Sequence, residues 1–146
     1  MDRLALLAIG LVFGGGLGFV SGGMGAGGMG MGGHDHGAMA PLDLPAGPEA
    51  PGVEMTLTPD PVSGWTLHAE VRNFRFAPEK AGMAAAPGEG HAHIHVDGMK
   101  IARLYGPWAH LAALPEGAKV MVSLNANDHR PLSVEGAPVA AMATAP

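Results

Sequence analysis

Between residues 88 and 98 the chain reads Gly-Glu-Gly-His-Ala-His-Ile-His-Val-Asp-Gly, and no other stretch limits the possible fold so tightly. Strict alternation is the mark of a β-strand, whose successive side chains point to opposite faces. His91, His93 and His95 therefore share one face, and Ala92, Ile94 and Val96 the other. Asp97-Gly98 closes the strand with a two-residue hairpin, because a type I′ turn needs positive φ at both central positions. The register that follows sets Val96 opposite Met99, Ile94 opposite Ile101, His93 opposite Ala102 and Leu104 opposite His91.

The same period recurs on either side. Val53, Met55 and Leu57 alternate with polar residues up to Pro59-Asp60-Pro61, which cannot continue a sheet. Trp65, Leu67, Ala69 and Val71 alternate with Thr66, His68, Glu70 and Arg72, which reads as a half-buried strand with His68 on its solvated side. Residues 81–90 form a Gly-, Ala- and Pro-rich loop. Trp108 to Leu114 read as a connection carrying His110, Val120 to Leu124 as another strand, and Asn125 to Arg130 as a polar loop. One or two short strands close the unit between Leu132 and Ala141. About seven short strands with regular turns and almost no helical signal predict an all-β domain, a small β-sandwich.

The expected organisation is a membrane anchor or signal segment over 1–23, a flexible Gly-, Met- and Pro-rich linker over 24–52, the β-sandwich over 53–140 and a flexible tail over 141–146. After Met1, Asp2 and Arg3, residues Leu4 to Val20 are apolar or glycine throughout. As a helix, Leu4 to about Gly23 would span the roughly 30 Å core of a bilayer. Val20-Ser21-Gly22 is a poor cleavage site, which favours a retained anchor with the rest of the chain outside the membrane. Gly10, Gly14, Gly18 and Gly22 recur every fourth residue, a small-xxx-small spacing that also arises by chance in a segment this rich in glycine.

Charge and cysteine content narrow the function. The net charge is −5 and the eight Lys and Arg residues are scattered, so nucleic acid is not an expected partner. The chain has no cysteine, which excludes disulfides, thiolate zinc sites, iron–sulfur clusters and the blue-copper His₂Cys centre. Any metal would be held by nitrogen, oxygen and thioether groups. Alternate residues of a strand lie about 6.6 Å apart, within reach of one ion bound at about 2.0 Å by each imidazole. A lone histidine is ordinarily structural, but a strand needing only structure would place Thr, Val or Tyr at three alternate positions. His91 and His93 are the central candidates. His95, His110 and His129 are further ones, and Asp128 is either a ligand or the acceptor that fixes a histidine tautomer. Glu89 and Asp97 are weaker candidates. In the linker, His34, Asp35 and His36 sit among Met24, Met29, Met31 and Met39, a mixture suited to copper in either oxidation state.

The ordered motifs Gly88-Glu89-Gly90-His91-Ala92-His93, Asp97-Gly98, His110 before Leu114-Pro115-Glu116-Gly117, and Asp128-His129 resemble a family of small uncharacterised bacterial periplasmic domains, immunoglobulin-like or cupredoxin-like sandwiches. The resemblance spans about residues 53–139. It implies a secreted β domain with a histidine site at one edge, and it puts His91, His93, His110 and His129 in the recurring positions; His95 stands where an aromatic residue is more usual.

These readings converge on a cell-envelope metal-binding protein, with a periplasmic domain anchored in the inner membrane, that buffers or hands over a copper ion. Zinc is the alternative ion, and a copper enzyme or transporter is the expected partner. A metal-independent immunoglobulin-like interaction module is the alternative function. An enzyme is not expected, because there is no nucleophile motif, no obvious general base beside the histidines and little length for a substrate pocket.

Overall fold

A computed structural model describes residues 39–146. The apolar N-terminal segment, its glycine repeat and the His34–His36 cluster lie outside the described residues. Among the described residues no helix is long and apolar enough to cross a membrane.

The described chain is nearly all β: β1 (Leu42–Leu44), β2 (Gly52–Pro59), β3 (Trp65–Arg72), β4 (Arg75–Phe76), β5 (Glu89–Val96), β6 (Met99–Leu104), β7 (Trp108–Leu111), β8 (Lys119–Ala126), β9 (Leu132–Val134), β10 (Ala137–Pro138) and β11 (Ala140–Thr144). A single 3₁₀ turn at Pro78–Lys80 interrupts the strands. The largest sheet runs β11-β8-β5-β4, with β6 also paired to β5; a second sheet is β2-β3-β7 and a third, small one is β1-β9-β10. Val53, Met55, Leu67 and Ala69 from the second sheet share one apolar core with Ala92, Ile94, Val120, Val122 and Leu124 from the first. Sheets meeting through alternate apolar residues are consistent with a β-sandwich.

β5 is the central strand, antiparallel to β8 on one side and to β6 on the other. Glu89 through Ile94 are all buried, so both faces of β5 are covered. Gly90 makes this possible: a Cβ there would collide with the Asn125 carbonyl oxygen on β8.

Three boundaries differ from the sequence expectation. The folded unit begins at Leu42 rather than Val53, because β1 adds in parallel to β9 and the Asn73 side chain donates to the carbonyls of Pro48 and Ala50. It extends past 140, because Ala140 to Thr144 pair along β8. Trp108–Leu111 is a strand that joins β3 rather than a connection. In each case the partner strand is remote in sequence and leaves no local signal.

The hairpin turn has the expected backbone, with φ of 49° at Asp97 and 83° at Gly98. Its register shifts between Ile94 and His95, so Val96 still faces Met99 but Ile94 faces Ala102, His93 faces Arg103 and Leu104 faces Ala92. A bulge adds one residue to one strand of a pair. Here it moves the basic side chain of Arg103 to the position beside His93.

Candidate metal centre

The outer face of the large sheet carries the site. On that face β5 presents His91, His93 and His95, and β8 presents Asn125, Ser123 and Met121 directly opposite them. His91 is 1% exposed and His93 9%. They are as deeply placed as much of the core.

The third histidine arrives by a tight turn. The His129 amide donates to the Ala126 carbonyl, 3.0 Å, and His129 adopts φ 70°. This left-handed conformation is uncommon outside glycine, though His tolerates it better than most residues, and it costs on the order of 1 kcal/mol or more. Two contacts hold the turn. Asn125 Nδ2 donates to the His129 carbonyl at 3.1 Å, and buried Asn127 donates to Glu89 at 3.0 Å. Glu89 also receives Arg75 at 2.7 Å and Lys80 at 2.8 Å. Hydrogen bonds from Lys80, Asn127 and Arg75 hold its carboxyl down at about 2. Glu89 is therefore an ionised anchor for the turn, not a free ligand.

Three ring nitrogens converge as a result. His91 Nε2 lies 3.2 Å from His93 Nε2 and 3.0 Å from His129 Nδ1, and all three ligand atoms lie within 4.8 Å of one another. Two imidazole nitrogens each about 2.0–2.1 Å from a tetrahedral ion would stand about 3.3–3.4 Å apart, so the two short distances fit a shared cation.

Protons alone serve this arrangement poorly. A neutral imidazole carries one N–H and one lone pair. If His91 Nε2 accepts, its single lone pair must serve two neighbours and its Nδ1–H is buried with no hydrogen-bond partner. If Nε2 donates, it serves one neighbour and leaves the other unanswered. A cation would remove the competition at Nε2. Burial pushes His91 down to about 4, helped by the charges of His129, Arg103 and Lys100. It pushes His93 down to about 3, helped by Lys100, His91, His95 and His129. Both rings are neutral near pH 7, the form that binds metals. His91 and His93 thus give the cluster two neutral nitrogen donors, set beside the His129 ring.

The remaining candidates go elsewhere. His110 lies on β7 in the second sheet, half exposed, with Nδ1 3.8 Å from Asp60; it does not join His91 and His93, because β7 pairs with β3. Asp128 turns to Arg130, accepting from its amide at 3.2 Å and its Nε at 2.9 Å, and so neither completes the triad nor fixes a tautomer. His95 is outside the triad, its ring 6.2 Å from that of His93. Asp97 accepts from the Lys119 amide at 2.9 Å, a turn role. His68 is not simply solvated: it stacks on Trp108 at 3.9 Å. Sequence reasoning missed Asn125, Asn127 and the anchoring role of Glu89. The run Asn125-Ala126-Asn127-Asp128 after an apolar strand was the available signal, since such residues bond to nearby backbone in turns.

No protein-family model, no curated protein and no solved structure matches the chain.

Proposed function

We propose that this chain is a cell-envelope metal-binding protein that buffers or hands over an ion, copper in first place and zinc as the alternative. The observation that carries the reading is the convergence of His91, His93 and His129 on one point. Neutral imidazoles suit Cu(II) and Zn(II), and divalent affinity generally peaks at Cu(II). Methionine and histidine in the linker tip the choice toward copper, which is handled outside the cytoplasm. The apolar N-terminus would tether the domain to the inner membrane, beside a copper enzyme or transporter, with the domain in the periplasm. The immunoglobulin-like or cupredoxin-like form of the sandwich belongs to the same proposal. The ion is exchanged rather than used to turn over a substrate.

The test is metal content by mass spectrometry of the full chain, exported to a bacterial periplasm and purified without chelator or affinity histidines. The parent should carry about one more copper per chain than the His91→Ala/His93→Ala variant, since loss of ligands removes the binding energy of the site. Equal loading of the two would overturn the reading.

A second reading, an interaction module, is favoured by one feature. β6 pairs only with β5 among the described residues, and it exposes Met99 at 72% and Ile101 at 48%. An exposed edge strand with apolar side chains is a template for pairing with another chain. Capture of the same membrane partner with and without chelator would favour this reading.

A further inference from the structure

His95 has no place in the three-histidine cluster, yet its surroundings are unusual. It lies directly opposite Met121 on β8, and Met121 lies directly opposite Met142 on β11. Residues opposed across antiparallel strands share a face, with Cβ atoms about 4.5–5.5 Å apart. Three neighbouring strands therefore set an imidazole and two thioethers in one row across the outer face. His95 Nδ1 is buried and has no hydrogen-bond partner. Exposure decreases along the row and beyond it. Met142 is 50% exposed, Met121 and His95 are half-buried, and His93 is 9% exposed.

We propose that His95, Met121 and Met142 form a second, softer site for a monovalent copper ion, lying on the route between solvent and the imidazole cluster. Thioethers favour Cu(I) over the harder divalent ions. The donor set is uncharged, and Lys100 stands opposite His95 on the other side. A fixed positive charge penalises a divalent ion about twice as much as a monovalent one. Passage from this site to His93 is ligand exchange at constant oxidation state and needs no electron donor or acceptor. The site extends the metal-handling reading but shares no ligand with His91, His93 and His129, so each fails separately.

The experiment uses the full chain in mild detergent, labelled with ¹³C at the methionine methyls and titrated with Ag(I), a monovalent ion of similar softness that does not change oxidation state. Single Met121→Leu and Met142→Leu variants, which conserve volume, assign the two signals. The methyl signals of Met121 and Met142 should shift together and saturate together, and the shift at Met121 should be lost in a His95→Gln variant. A His91→Ala/His93→Ala chain should keep these shifts while losing Zn(II) binding, which supports this site independently of the cluster. If Ag(I) moves only Met24, Met29, Met31 and Met39, or if His95→Gln leaves the Met121 shift unchanged, the proposal is overturned.

Discussion

The two faces of β5 are buried to the same depth and differ in what that burial demands. On the inner face Ala92 is fully buried and Ile94 is 1% exposed; on the outer face His91 is also 1% exposed. Apolar groups gain from leaving water in proportion to area and need no particular partner. Imidazoles need a partner for each nitrogen, and His91 has two neighbours at one nitrogen and none at the other. The inner face is built for stability. The outer face holds polar groups in a dry place where their requirements are met only in part, a pattern found where binding takes precedence over stability.

The largest effect should come from the inner face. Ile94→Ala should cost about 2–5 kcal/mol in denaturant unfolding, as buried Ile truncations do. The folded fraction should bind Zn(II) and Cu(II) as the parent does. An equal loss of metal affinity would break the comparison, since the faces would not be independent.

Next in size is His91→Ala, the ring that touches both others. It should weaken divalent metal binding by more than the roughly 10–100-fold that loss of an outer hydrogen-bond partner costs. Competition titration against a chromophoric chelator measures this. The metal-free variant should lose less stability than Ile94→Ala, because the deleted ring was incompletely bonded.

A smaller effect concerns acid. His91 and His93 titrate at about 4 and about 3 in the folded chain, against 6.5 ordinarily. Between these values the unfolded chain binds protons that the folded chain does not, so stability falls as pH drops. It is full above about pH 6.5 and declines toward pH 4 and then 3. Glu89, held at about 2 against an ordinary 4.5, adds its own loss of stability only below about pH 4.5 and so contributes little between pH 7 and 5. The denaturation midpoint of the metal-free protein should therefore fall from pH 7 to about 5. His91→Ala/His93→Ala should flatten that dependence, and an unchanged slope in the variant would place the acid sensitivity elsewhere.

The smallest effect is expected at His110. Its contact with Asp60 is long and half exposed, and pairs of that kind contribute little. His110→Ala should leave both melting temperature and metal affinity where they are; a drop in affinity would return His110 to the site.

Much of this was legible in the sequence. Alternation over 65–71 and 91–96 marked β3 and β5, and Asp97-Gly98 marked the turn between β5 and β6, because period and turn chemistry are local. The bulge at Ile94 and His95 was not legible, since a register belongs to two strands and is set by how both pack. β1 and β11 were hidden for a related reason: their short apolar runs become strands only against β9 and β8.

The sequence by itself determined that three histidines would share one face of a strand with apolar residues on the other, since a period of two admits no other outcome. Tertiary structure alone decided which histidines meet. The left-handed turn at His129 brings that ring onto His91, the pairing of β7 with β3 carries His110 to another sheet, and the side chain of Arg130 takes Asp128. Convergence depends on strand order and on single φ angles set by hydrogen bonds from remote residues, and neither is encoded in local spacing.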